Sequence, residues 1–456
     1  MTFQVEFQAV VLAAGKGSRI SELTTTKPKC LLPVGPMPLV WYPLYKLEQA
    51  GFTDVILVIL EHQKSEIQSS LDKTGIEIRI EYATIAENEE IGTADSLRML
   101  YDRLKSDVLV VSCDFITDVD LYGLLDIYRM HNASVASLLL HPQHTEVIAV
   151  PGPKSKHKVE RDLIGIDQQT NRLVFLASAS DFESELTLPK SLLKKHTSLK
   201  LYSNLIDSHI YVLKKWVIKY LKSEDSFSSI KGELLPHIVK KQLSKPPKTS
   251  EPRESIVTLR DAGDIFAYAK EEDLDLAIRE ASAYNDHIGD LKPAYHDDSI
   301  RCYAYIAPKD AFGVRVNTMM NYWTVSGKII DSWQRITNGK ELILKHPEAT
   351  ISSNQVDDKC IIWEGVNLKE KTSFKNCVIG ANAEVNSFSR VFNSIVMNNV
   401  TIKEKVAIEN CIVCDGAIIE NGCKLKGCIV GSYHTVEEDS EHASEVLTES
   451  DRLMEF

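Results

Sequence analysis

Gln8-Ala9-Val10-Val11-Leu12-Ala13-Ala14-Gly15-Lys16-Gly17-Ser18-Arg19 runs an uninterrupted apolar segment straight into a turn of glycines and cations. A short run with no polar alternation reads as a strand buried on both faces. Glycines placed directly after it let backbone N–H groups come close to a phosphate. Such a turn alone serves equally well as a plain loop, so its meaning depends on the residues downstream of it. Leu39, Val40, Leu44 and Leu47 recur at helical spacing, and Gly51 stands where a C-cap belongs. Val55 to Leu60 and Val108 to Val111 are further buried runs. Strands alternating with helices predict an α/β domain with a parallel sheet, its ligands outside the carboxyl ends of the strands.

Three clusters fall at such ends: the Gly15–Arg19 loop with Lys29, then Gly92-Thr93-Ala94-Asp95, then Asp114 after Val108-Leu109-Val110-Val111-Ser112-Cys113. Together they supply glycines for close approach, cations for a triphosphate and a carboxylate able to hold Mg²⁺. The plain alternative for Asp114 is a helix cap. Leu12 to Arg19, Leu23-Thr24 and Lys27-Pro28-Lys29-Cys30-Leu31-Leu32-Pro33-Val34 resemble the signature of sugar-1-phosphate nucleotidyltransferases. The resemblance implies that Gly15, Gly17, Ser18, Arg19 and Lys29 contact a nucleoside triphosphate. It likewise makes Gly92 and Thr93 a base-contacting segment and Asp114 a metal-binding aspartate. Ser18 stands for the family's usual threonine and Glu22 for its usual proline.

The second half is periodic. Lys359-Cys360-Ile361-Ile362, Asn376-Cys377-Val378-Ile379, Asn393-Ser394-Ile395-Val396, Asn410-Cys411-Ile412-Val413 and Gly427-Cys428-Ile429-Val430 start 17 residues apart. Small or apolar residues recur within each repeat, as in Ile395, Val400, Ile402, Val406 and Ile408. Three short strands per coil mark a left-handed parallel β-helix of hexapeptide repeats, whose coils stabilise one another by stacking. Cys360, Cys377, Ser394, Cys411 and Cys428 form an inward column of small side chains, behaving as buried hydrophobes rather than metal ligands. His434 reads as a solvated loop residue of the last coil, not as an acyltransferase histidine. The expected layout is a Rossmann-like nucleotidyltransferase-like domain over 1–335, a linker over 336–350, the β-helix over 351–440 and a tail over 441–456. A variable insertion spans about 244–300; in it Lys245 to Pro252 reads as an extended linker. Leu274, Ala277, Ile278 and Ala281 read as one short amphipathic helix.

The chain has 456 residues and a formal net charge of −12, which argues against nonspecific binding of nucleic acid. No stretch of about 18 apolar residues is present, and the start lacks the basic flank and apolar core of a secretory leader. Nine scattered cysteines without a CxxC pair predict unpaired thiols, a reducing compartment and hence cytosol.

Gly313-Val314-Arg315-Val316-Asn317-Thr318 resembles a segment where active nucleotidyltransferases carry Asp-x-Gly-Thr, which places Arg315 at the position of a metal-facing carboxylate. A fixed cation there opposes Mg²⁺. Val150 to Lys158, Arg161 to Asp167, Leu205 to Lys215, Trp41 to Leu44, Ser112 to Val119 and Asp451 to Phe456 are similar to the gamma-subunit family of eukaryotic translation initiation factor 2B. That resemblance implies a non-catalytic subunit with no catalytic residues and no metal site. It implies pairing with an epsilon subunit, alongside alpha, beta and delta subunits, in a complex exchanging GDP for GTP on translation initiation factor 2. The epsilon subunit carries an extra C-terminal helical domain, which this sequence, ending at Phe456, does not contain. No cofactor is required on this reading, residual GTP or ATP binding is retained, and no direct contact with nucleic acid or membrane is expected. The competing reading is an active sugar-1-phosphate nucleotidyltransferase such as a GDP-mannose pyrophosphorylase. A third is a free-standing scaffold descended from such enzymes.

Overall fold

A computed structural model describes residues 6–86, 91–142, 149–153, 161–182, 185–244, 264–270 and 298–448. The expected linker at Lys245 to Pro252, the helix on Leu274 to Ala281, Lys154 to Lys158 and the closing Asp451 to Phe456 lie outside the described residues.

A seven-stranded sheet forms the first domain. Its strands are β1 (Phe7–Leu12), β2 (Asp54–Leu60), β3 (Arg79–Ile85), β4 (Asp107–Ser112), β5 (Val135–Leu140), β6 (Ile206–Leu213) and β7 (Cys302–Ile306), in the order β7-β5-β6-β4-β1-β2-β3. Val10 packs into the core on one face, while Ala9 and Val11 pack into the core on the other. Val108 and Val110 alternate with Leu109 and Val111 in the same way, so every position of these runs is covered and none can be polar. The sheet is parallel as expected except at β6, which runs antiparallel to both β4 and β5. Between β5 and β6 the chain builds a separate antiparallel sheet from Asp162–Asp167, Leu173–Ser178 and Leu199–Tyr202. That sheet stands over the carboxyl end of β1, so the chain re-enters the large sheet from that end and must run backwards.

The repeats form three six-stranded parallel sheets, with Ile361, Val378, Ile395, Ile412, Ile429 and Val446 in one register. Asn376, Asn393, Asn410, Gly427 and Ser444 mark a corner of successive coils with φ of 50°, 46°, 53°, 64° and 57°. Asparagine and glycine enter the left-handed region most readily, which is why the repeat motif opens on them. The column Cys360, Cys377, Ser394, Cys411 and Cys428 is buried, and all nine cysteines are unpaired. Two boundaries shift. Glu441–Ala443 and Val446–Leu447 complete a last coil, so the coils end at 447 rather than 440. This coil also brings a second histidine, His442, into the repeats, while His434 is half-buried. The stretch 336–350 is not free linker, because Ile362 N donates to Leu344 O at 2.7 Å.

One sheet of the coils is apolar on both faces. Ile362, Ile379, Val396, Val413 and Val430 point inward, while their neighbours Ile361, Val378, Ile395, Ile412 and Ile429 point outward and are also buried. They lie against the first domain, in a cluster with Leu23, Trp41, Trp323, Ile329 and Trp333. The tryptophans and Ile329 belong to the helix α1 (Trp41–Gln49) and the long helix Met319–Ile336. Polar ties ring the contact: Lys27 to Asp415 at 2.9 Å, and Thr26 Oγ1 to Ser432 Oγ at 2.8 Å. Gly152 N also donates to Gly427 O at 2.8 Å.

Candidate functional site

A cleft of about 610 Å³ opens at the carboxyl end of β1, between the Gly15–Arg19 loop, the small antiparallel sheet and the turn Ile230–Leu234. Gly15 and Gly17 leave the strand as expected, and they are glycine for different reasons. A Cβ on Gly15 would meet nothing within 4 Å, so the backbone there stands open to the cleft. Gly17 has φ +75°, and a Cβ would press Thr24 Cγ2 at 2.9 Å. Lys16, Ser18 and Arg19 are exposed along the loop, and Lys29 enters from the 3₁₀ turn Lys29–Leu31.

Asp114 lies beneath this floor with 2% of its surface exposed. Its Oδ2 accepts from Lys29 Nζ. Its Oδ1 accepts from Ser112 Oγ at 2.6 Å and from Arg315 Nε at 3.2 Å. Burial alone would raise its pKa, but Lys29 and Arg315 outweigh that and hold the carboxyl well below the usual carboxylate range. Arg315 arrives because Gly313–Arg315 pairs antiparallel with Phe115–Thr117, in a register that sets Arg315 opposite Phe115. The pairing thus brings the Arg315 guanidinium onto Asp114, the residue that the resemblance makes a metal-binding aspartate. Mg²⁺ does not fit here, since both oxygens of Asp114 are already held by donors. Among the described residues no group of three metal-ligating side chains stands together.

His209 completes the floor. It sits where the β5–β6 pairing is irregular between Asp207 and Tyr211, and its φ is +56°. A bulge in the left-handed region re-aims a side chain that a regular strand would bury. Arg315 Nη1 approaches His209 Nε2 at 2.8 Å. A guanidinium can only donate, so Nε2 accepts and the ring proton is on Nδ1. Burial first, then the charge of Arg315, hold the imidazole pKa well below its ordinary value. The unfolded chain takes up a proton near pH 6.5 while the folded chain does not. The stability contributed by His209 is therefore complete above about pH 7 and lost as pH falls through 6.5, at up to about 1.4 kcal/mol per pH unit. His209→Asn is expected to flatten urea stability between pH 7.5 and 5.5 by that slope; an unchanged slope would remove the assignment.

Gly92 and Thr93 are placed elsewhere. They open the helix α2 (Thr93–Met99) and do not line the cleft. Asp95 Oδ2 accepts from Gly92 N at 2.9 Å, Ala94 N donates to Ser228 O at 2.8 Å, and Ile230 N donates to Thr93 Oγ1 at 2.9 Å. A Cβ on Gly92 would meet Ser228 O at 2.2 Å. The pair thus holds the segment that delivers Lys231, which faces the small sheet through an ion pair with Asp162 at 2.8 Å. Lys231, Asp162 and His209 carry no local motif. Only the left-handed histidine leaves a trace, as the last of three polar residues, Asp207-Ser208-His209, inside the strand Ile206–Leu213.

The comparisons with known proteins agree with this geometry. Residues 8–147 match the nucleotidyl transferase family, and residues 336–447 match the GMPPB C-terminal domain. A mannose-1-phosphate guanyltransferase of Candida albicans is 30% identical over 28% of this chain and 36% of its own length. The likeness to the translation initiation factor eIF2B subunit gamma of Dictyostelium discoideum is 25% identity over 84% of this chain and 89% of that one. The eIF2B subunit gamma of Schizosaccharomyces pombe is 32% identical over 81% of this chain and 74% of its own length. A nucleotidyltransferase domain with its aspartate held by an arginine, docked on a β-helix, and an alignment of that reach together place this chain in the family of gamma subunits of translation initiation factor eIF2B.

Proposed function

We propose that this chain is a non-catalytic scaffold subunit of the translation initiation factor 2B complex. On this reading it pairs with an epsilon subunit, beside alpha, beta and delta subunits, and supports GDP/GTP exchange on translation initiation factor 2. One observation carries the non-catalytic part: the aspartate that would hold a catalytic metal is instead held by Lys29, Ser112 and Arg315. Phosphoryl-type transfer on a triphosphate relies on a metal to neutralise developing charge, and this floor offers it no open ligand. Nine buried, unpaired cysteines support a reducing, cytosolic setting. No described helix is long and apolar enough to cross a membrane. The open loop at Gly15 and the cations beside it support retained binding of GTP or ATP without turnover.

The test is gentle purification of the tagged chain from its own cells, with the purified chain also given a nucleoside triphosphate, mannose-1-phosphate and Mg²⁺. The expected result is an equimolar larger relative within an assembly several times its own 51.2 kDa, and no release of pyrophosphate. A homo-oligomer that releases pyrophosphate at enzymatic rates overturns the proposal in favour of an active nucleotidyltransferase.

A further inference from the structure

We infer that the cleft binds a nucleoside triphosphate in its metal-free form, with the Arg315 guanidinium standing where a divalent cation would stand. This rests on the reading that the cleft retains nucleotide binding, and it names the form of ligand that binds.

The charge inventory points to a polyanion. Lys16, Arg19, Lys29, Lys231 and Arg315 line the cleft, against the carboxylates of Asp162 and Asp181, with Asp114 below the floor. The local balance is positive in a chain whose formal net charge is −12. A divalent cation finds less, because of the three carboxylates only the exposed Asp181 is not held by a cation among the described residues. Asp114 is held by Lys29 and Arg315, and Asp162 is ion-paired with Lys231. Loading Mg²⁺ onto the ligand would therefore reduce its negative charge without supplying a protein ligand in return.

Arg315 is built to take over the neutralising role. Its Nε is held by Asp114 and its Nη1 by the neutral His209, which fixes the plane of the guanidinium from two sides. The side chain is still 20% exposed toward the cleft, with donor hydrogens beyond those two bonds. A planar, oriented guanidinium binds phosphate oxygens by paired, charge-assisted hydrogen bonds and needs no water to be shed from a metal. His209 contributes by position: a neutral acceptor orients Arg315 without adding a competing anion.

The experiment is calorimetric titration of the full chain with GTP, ATP and inorganic tripolyphosphate, in EDTA and in excess Mg²⁺. The expected result is binding in EDTA at least as tight as in Mg²⁺, with affinity falling severalfold once Mg²⁺ saturates the ligand. Arg315→Gln is expected to weaken binding in EDTA roughly 10- to 100-fold, the loss of one charge-assisted contact. Arg315→Asp is expected to go further and make binding depend on Mg²⁺. Should that variant fold poorly, the glutamine variant and the wild-type comparison carry the test. Binding seen only with Mg²⁺ overturns the inference and leaves nucleotide binding intact. Binding absent under both conditions overturns the nucleotide-binding reading and the inference with it.

Discussion

Asp298→Ala is expected to cost about 3–5 kcal/mol of folding stability, while the same change combined with Arg172→Met recovers most of that loss. Arg172 is 0% exposed. Its guanidinium is ion-paired with Asp298 at 2.9 Å and donates to Gln242 Oε1 at 3.0 Å and Ile300 O at 3.3 Å. Removing the carboxylate leaves a buried cation without its Asp298 counter-charge, which is the expensive half of a buried ion pair. Methionine in its place is apolar and of similar reach, so the double variant strands no charge. Lys195 also reaches Asp298, but it is part-exposed and can turn to solvent. The site matters because Asp298 and Arg301 bring the chain back into the sheet as β7, beside β5. Urea unfolding of the wild type, both single variants and the double variant closes the cycle. If the double variant is no more stable than Asp298→Ala alone, the stranded-charge account is wrong.

Trp333→Ala is expected to cost a similar 3–5 kcal/mol, through a different mechanism and with a wider reach. Trp333 is 1% exposed and stacks on Trp41 with centroids 5.8 Å apart and planes 6° apart. Trp41 stacks in turn on Tyr45 at 4.5 Å, and Lys340 Nζ lies 5.1 Å from the rings of both Trp41 and Tyr45. The Trp333 indole Nε1 also donates to Lys340 O at 2.8 Å. Truncation opens a cavity in the cluster that the first domain shares with Ile361, Ile395 and Ile412. Hydrogen exchange should therefore accelerate along the apolar face of the coils as well as in the helix Met319–Ile336. Faster exchange confined to the helix would show that the two domains do not share this core.

Much of the architecture is legible in the residues, for physical reasons that differ by element. The run Ala9 to Ala14 declares a doubly covered strand because its neighbours on each side bury alternate residues. The asparagines at 376, 393 and 410 declare the coils because few residues accept their corner dihedrals. Gly15, Gly17, Ser18, Arg19 and Lys29 are close in sequence and gather in space, and Arg315 falls on Asp114 through one short strand pairing. The rest depends on distant partners. The reversal of β6 is set by the sheet built between Leu140 and Ile206. Gly92 and Thr93 carry the family's pattern, yet here they support the Ser228–Leu234 segment, which no local signal announces. The doublets Ile361-Ile362, Val378-Ile379, Ile395-Val396 and Ile412-Val413 hold a further message. An outward aliphatic in every coil means that the face is covered, whereas the other two sheets place mostly polar residues there, such as Glu384, Lys424 and Lys426.

The ties at Thr26 and Lys27 sit between Arg19 and Lys29, on the short length of chain that carries the glycine-rich loop into the floor of the cleft. The coil residues Asp415 and Ser432 are thus anchors for the very segment a ligand would pull upon. On the proposed reading that the cleft holds a nucleotide, a ligand that shifted the seating of the coil by some factor would have its own affinity shifted by the same factor. A protein pressing on the coil near Asp415 would then have a grip on that nucleotide without touching it.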